Sequence, residues 1–359
     1  MIRTLFIAAA IVVVSISLAG ADEPLPVAVS QADLQAAVQK AIPLITKGAV
    51  GHREQRTCFA CHNQGTPILA LVTARAHGFA VDDEELGRQY KFIQEFLGRN
   101  RELYLQGKGQ GGQADTAGSA LLALELGKWK PDETTSAVAE YLLLYQADSD
   151  HWSGASSRPP SEGSPFTSTF VSLRGLAVFQ TDAQKERAEK RKMQVGAWLL
   201  KATAKDNEDR VFRLWGLQAA GAKAEEIAAA VKELVSKQRE DGGWSQIDAP
   251  FEIKKDGDKT ETVEPNSDAY ATGSALVVLH LAGEMKPADP AYQRGLAFLL
   301  KSQLADGSWH VKSRSKPFQK YFETGFPHGN DQFISSAASS WAVTAMALAC
   351  DQEKSSVRP

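Results

Sequence analysis

The chain is poor in cysteine, with only Cys58, Cys61 and Cys350 in 359 residues. A secreted scaffold held by disulfides carries more, in even number. It also lacks a later apolar run of the about 20 residues needed to cross a bilayer. Neither sign of charge dominates: 40 Lys+Arg face 43 Asp+Glu, a formal net charge of −3. That balance gives no electrostatic ground for nucleic acid or anionic lipid as a partner. Period-two alternation is nearly absent, so β-structure has little support.

What is present begins with an address. Arg3 precedes an apolar run from Leu5 to Leu18, and Ala19-Gly20-Ala21 fits an A-x-A cleavage site before Asp22-Glu23. The run has the length of a signal h-region and is short for a span. The sequence therefore predicts a signal peptide over 1–21, cut after Ala21, then a short linker over 22–29. The mature chain is expected in the periplasm or secreted, with no membrane span. Residues 351–359 read as a disordered tail.

From 30 to 350 helix-length segments alternate in character. Gln31–Lys47, Glu84–Tyr104, Glu133–Tyr145, Gln184–Lys201, Ala224–Lys237 and Tyr292–Lys301 are amphipathic. Pro67–His77, Thr116–Leu126, Thr169–Phe179, Arg210–Ala220, Ala269–Ala282 and Gln332–Ala349 are apolar nearly all round. A helix apolar on every side is buried on every side. Half-buried helices alternating with fully buried ones make two concentric layers. The repeat of about 40 to 60 residues is one helical hairpin plus a variable loop. Six hairpins close a circle, so the fold class predicted is all-α, a single-domain (α/α)6 toroid. Oxygen-bearing residues stand at the inner-helix starts: Thr66, Asp115, Ser168, Asp209, Ser267-Asp268 and Asp331. Capping of free backbone N–H groups is their plain expected role.

Two hairpin junctions share a further pattern. Gln303 leads into Asp306-Gly307-Ser308-Trp309, and Gln238 into Asp241-Gly242-Gly243-Trp244; Gln146 followed by Trp152 is a weaker copy. A Gln at a helix end and a Trp after a Gly turn can tie one hairpin to the next. The pattern resembles the QW motif of squalene and terpene cyclases. The resemblance to the terpene cyclase and protein prenyltransferase superfamily spans about residues 30 to 350.

That resemblance implies catalytic motifs, which this sequence does not reproduce. The cyclases' D-x-D-D-T-A aligns with Gly112-Gln113-Ala114-Asp115-Thr116-Ala117, placing Ala114 where the proton donor belongs. A methyl group delivers no proton. Asp115 is then left as a helix cap, and purified protein is expected not to cyclise squalene. The prenyltransferases' D-x-C-Y aligns with Ser267-Asp268-Ala269-Tyr270, and their D-x-x-H with Asp331-Gln332-Phe333-Ile334. In that frame every zinc ligand is lost. An apolar centre lined by Tyr270, Phe170, Phe333 and Trp341 is one reading of the inner helices; plain core packing is the other.

The distinctive chemical feature is Cys58-Phe59-Ala60-Cys61-His62. In an exported chain this is the c-type haem attachment pattern: two thiols reach the porphyrin vinyl groups and the His ligates iron. A Cys58–Cys61 disulfide and a zinc site are the competing readings. Ring closure brings the first and last loops together, which makes His328 the first candidate for a second axial ligand, with His310 and His52 behind it. Haem c held by Cys58, Cys61, His62 and His328, with His62 as metal ligand, is thus the expected cofactor site. Electron transfer or sensing with a redox partner is the function expected from it. Two alternatives stand beside it. One is a binding module for an apolar lipid, a peptide or a protein. The other is an enzyme, either with chemistry outside the family that uses Glu162, Glu323 or Asp268, or a divergent squalene cyclase-like one.

Overall fold

Ser30 accepts a hydrogen bond from the Asp33 N–H and starts α1 (Gln31–Gln55). Eleven more helices of this rank follow in the computed structural model, which describes residues 29–154, 158–254, 260–315 and 320–350. The signal peptide, all of the linker but Val29, and the tail lie outside the described residues. The helices are α2 (Thr66–Ala76), α3 (Asp83–Gly98), α4 (Gln113–Leu126), α5 (Glu133–Leu144) and α6 (Pro165–Phe179). Then come α7 (Lys185–Lys201), α8 (Asn207–Ala220), α9 (Ala224–Val235), α10 (Ala269–Leu281), α11 (Pro290–Ser302) and α12 (Gln332–Ala349).

Odd-numbered helices form the outer layer and even-numbered helices the inner one. Each inner helix packs on the next, α2 through α12, and α12 packs back on α2, so the ring is closed. All-round burial is clearest in α10 and α12, where nearly every side chain is buried. The toroid predicted from alternating polarity is therefore the fold.

The Trp residues show how the junctions work. Trp152, Trp244 and Trp309 are fully buried. Each indole N–H donates to a carbonyl near the end of the outer helix before it: Leu142 at 2.9 Å, Leu234 at 2.9 Å and Leu299 at 2.8 Å. Each Trp backbone N–H donates to a hydroxyl on the following inner helix: Thr169 at 3.1 Å, Thr272 at 2.9 Å and Ser339 at 3.0 Å. Gln238 Nε2 reaches the Ala291 carbonyl on the next hairpin at 2.8 Å. Gln303 Nε2 reaches Ala37 at 3.0 Å, so the same device fastens the last hairpin to α1. In the weaker copy Gln146 stays local, bonding Ser153, and the Arg191 guanidinium stacks on Trp152 at 4.2 Å.

Ring closure also needs close backbone approach. Gly51 of α1 lies against the Thr324 backbone, where a Cβ would collide with the carbonyl. Phe326 is buried beside Gly48. The first and last loops meet here, with the Arg56 guanidinium over the Phe322 ring at 3.9 Å.

Two details differ from expectation. Short strands do occur between α9 and α10: Trp244–Ser245 pairs with Ser267–Asp268, and Phe251–Lys254 pairs with Thr260–Val263. These ladders join loop segments and leave the helical layers untouched. Capping is also shifted. Ser164 and Asp206, each upstream of the expected position, cap α6 and α8; of the expected carboxylates, Asp268 caps α10.

Candidate active site

All outer-to-inner loops lie on one face, so the N-termini of the inner helices converge there. Two connected spaces open on this side. A vestibule of about 490 Å³ is lined by His62, Arg158, Glu162, Lys312, Asp331 and Phe333, among others. Beneath it lies a chamber of about 60 Å³ at the ring's centre. Ser161, Glu162 and Tyr270 border both. The chamber is small because aromatic rings fill the middle. Phe212, Trp215 and Trp341 form its wall, and Phe170 stacks behind Trp215 at 4.5 Å. Of the four predicted lining residues, Tyr270 and Trp341 line the chamber, Phe333 lines the vestibule, and Phe170 is core.

Asp115 corrects the sequence reading. It stands in the first turn of α4, whose N-cap is Gly112, and its side chain caps nothing. Instead the carboxyl lines the chamber and accepts a hydrogen bond from Ser168 Oγ of α6. It is 4% exposed, and its Oδ2 has no hydrogen-bond partner. Gly154 lies against that oxygen, where even a methyl group would displace it. Burial raises the Asp115 pKa to about 6, against the opposing effects of Ser168 and Arg158. An aspartic acid that keeps its proton up to about pH 6 therefore faces an apolar chamber. Ala114 is buried beside it, as the motif frame requires, but the exclusion of acid chemistry drawn from Ala114 does not hold.

A second acid escaped the sequence reading. Glu208, in the first turn of α8, is 2% exposed and accepts hydrogen bonds from Thr167 Oγ1 at 3.0 Å and Tyr270 Oη at 3.3 Å. Burial first, then the neighbouring Asp206, pushes its pKa up to about 8. A signal was available: Asp206-Asn207-Glu208-Asp209 puts three carboxyls at one helix start, where one suffices as a cap. Asp206 caps, and Asp209 accepts from Ser164 Oγ at 2.7 Å.

The remaining candidates separate. Glu162 sits at the junction of vestibule and chamber, paired with Arg158. Asp268 spends Oδ1 on capping α10 and Oδ2 on Gln246 at 3.0 Å. Glu323 is exposed and accepts from Tyr321 Oη at 2.5 Å.

The Cys58–His62 segment occupies the slot where other hairpins carry the Trp turn. Cys58 is exposed, whereas Cys61 lines the chamber beside Asp115 and Ser119. Burial raises the Cys61 thiol to about 11, so it is neutral. Cys61–Gly65 forms a π-helical turn that carries His62 into the vestibule wall, edge-on to Phe333 at 5.3 Å. His328 is engaged elsewhere, bonded to Ser308 Oγ at 2.7 Å and stacked on His310 at 4.7 Å. His310 in turn contacts Asp331 at 2.9 Å, and His52 contacts the Cys58 carbonyl at 2.8 Å. Among the described residues no three His, Cys, Asp or Glu side chains are grouped to hold a metal ion.

Residues 189–350 match the squalene–hopene cyclase C-terminal domain. A probable squalene–hopene cyclase from Sinorhizobium fredii is 32% identical over 130 residues, covering 34% of this chain and 18% of that protein. The squalene–hopene cyclase of Bradyrhizobium diazoefficiens is 31% identical over 130 residues, with the same coverage. The matched stretch is thus about a fifth of either relative's length. The type II terpene cyclase MstE from Scytonema superposes with a TM-score of 0.54 at 13% identity, covering 89% of this chain and 100% of that one. A variant of MstE bound to geranylgeranyl dihydroxybenzoate, its substrate, gives 0.54 at 14% identity, with 89% and 99% covered. Over 189–350 the chain is similar to squalene–hopene cyclases, and its fold is that of a type II terpene cyclase. These matches overturn the expectation of a haem protein for electron transfer or sensing. Cyclase domains are what this chain matches, and its closed ring with a central acid suits them.

Proposed function

We propose that this chain is a cyclase-like enzyme that protonates an alkene of a linear polyprenoid, with Asp115 as the acid. The observation that carries the reading is the Asp115 carboxyl: buried, protonated up to about pH 6, and set in the wall of an aromatic chamber. An alkene is a weak base, so its protonation needs an undissociated acid held away from water. The carbocation formed needs electron-rich walls that are not nucleophilic. Trp215, Trp341, Phe212 and Tyr270 provide π-faces of that kind. The reactive end of the substrate enters the chamber and the remainder lies in the vestibule, whose volume of about 490 Å³ is in the usual range for ligand sites. Ser168 positions the carboxyl and Gly154 leaves room for it.

The chemistry is redox-neutral. The alkene π pair takes the Asp115 proton, further π bonds close rings, and a proton leaves at the end. Incubation of purified protein with squalene and with geranylgeraniol, followed by gas chromatography–mass spectrometry, tests this. Cyclic isomers from the native protein and none from Asp115→Asn are expected. No cyclic product from either substrate, or equal product from the variant, would refute it.

A further inference from the structure

Acid chemistry at Asp115 leaves the Cys58–His62 segment unexplained, and the reaction it starts also needs an end. We infer that His62 is the general base that takes the final proton, on the opposite side of the junction from Asp115. The inference rests on the acid-initiated reading above.

The placement comes from the chain itself. The π-helical turn Cys61–Gly65 sets two consecutive side chains on the two spaces: Cys61 on the chamber and His62 on the vestibule. Asp115 lines the chamber only, and Glu162 and Tyr270 mark the passage between. A substrate with one end at Asp115 and its body in the vestibule runs past His62. The imidazole is flanked by the Phe333 edge, and Glu162 Oε1 stands 3.9 Å from Nδ1, beyond hydrogen-bond reach.

The charge states fit the roles. Burial, with His52 and Arg158 nearby, drives the His62 pKa down to about 3. Asp115 sits at about 6. In the resting site the proton thus belongs to Asp115 and not to His62. An ordinary histidine would compete for that proton and leave an aspartate–imidazolium pair unable to start the reaction. A base this weak is still sufficient, because a carbocation is a far stronger acid than an imidazolium. The terminal step breaks a C–H bond next to the cation, its electron pair becomes the product double bond, and the proton goes to a His62 ring nitrogen. The proton then passes through water to the Asp115 carboxylate, which restores both groups. Nothing is oxidised or reduced.

Squalene is the probe, with product classes resolved by gas chromatography–mass spectrometry. With His62→Gln, initiation persists but the cation is captured by water, so the ratio of cyclic alkene to cyclic alcohol falls at least ten-fold. A structural role for His62 would lower all products together and leave the ratio unchanged; that result overturns the inference while acid initiation stands. Absence of any product from the native protein defeats the acid-initiated reading, and this inference with it. Nitrogen-15 NMR gives a readout independent of turnover. Of the seven histidines, the one whose signal vanishes in His62→Gln should be neutral at pH 5. Titration of that signal near pH 6.5 would also overturn the inference.

Discussion

Asp115 and Glu208 are carboxyls whose surroundings oppose ionisation, and that has consequences at the scale of single residues. For Asp115 the neutral form is the working form. Turnover should therefore be highest below about pH 6 and fall as pH rises through that value. The charged or titratable groups facing it include Arg158, Cys61, Tyr141 and Tyr145, none of which changes state in that window. A pH–rate profile checks this. Gly154→Ala should displace the carboxyl and reduce turnover at least ten-fold with the fold retained, as judged by circular dichroism. Glu208 makes a stability prediction. Its folded pKa is raised to about 8, above an ordinary 4.5. A raised carboxyl binds its proton more tightly when folded, so its contribution is complete below about pH 4.5 and lost as pH rises through about 8. Glu208→Gln should remove that loss. The variant should gain on the native protein above pH 8 by an amount of order a few kcal/mol, at about 1.4 kcal/mol per pKa unit. Asp206, Asp209 and Arg314 face the same carboxyl and broaden the transition. Urea denaturation at pH 5, 7 and 9 measures it. Of these groups the sequence showed Asp115 by position but not by role. A one-residue motif frame decides which residue aligns with the donor, yet the direction of a side chain depends on where the helix begins. Here Gly112, at φ 79°, starts α4 so that the third helical residue faces the chamber.

Single helices and their junctions carry the fold. The alternation of amphipathic and wholly apolar segments was enough to read six hairpins, because burial on one face or on all faces is written directly into composition. Trp244 and Trp309 were legible for the same kind of reason: a large ring after a Gly turn has one place to go. Their partners were not, since Leu234, Leu299, Thr272 and Ser339 are recognisable only once the helices are side by side. Trp244→Ala removes a fully buried ring and its indole hydrogen bond to Leu234, so a loss of about 3–5 kcal/mol is expected by thermal or urea unfolding. The ring's seam is testable in the same way. Gly51→Ala forces α1 away from Thr324 and should cost about 1–3 kcal/mol. The same change at Gly87 meets open space and should cost far less.

At the scale of the molecule, closing six hairpins brings every outer-to-inner loop to one face and every inner-helix start to one centre. That is why residues far apart in the chain, Cys61, Asp115, Glu162, Tyr270 and Trp341, share one chamber wall. The sequence predicted the meeting of the first and last loops, and Arg56, Phe322 and Thr324 make that contact. It did not indicate how full the centre is, because chamber size depends on aromatic rings from several helices packing together. The account rests on proton delivery from Asp115 to carbon, and deuterium follows that step most directly. Squalene turned over in D₂O should give cyclic product with one deuterium on the ring methylene carbon formed at the initiating end, and Asp115→Asn should give none. Cyclic product free of deuterium, or the same labelled product from Asp115→Asn, would contradict the account.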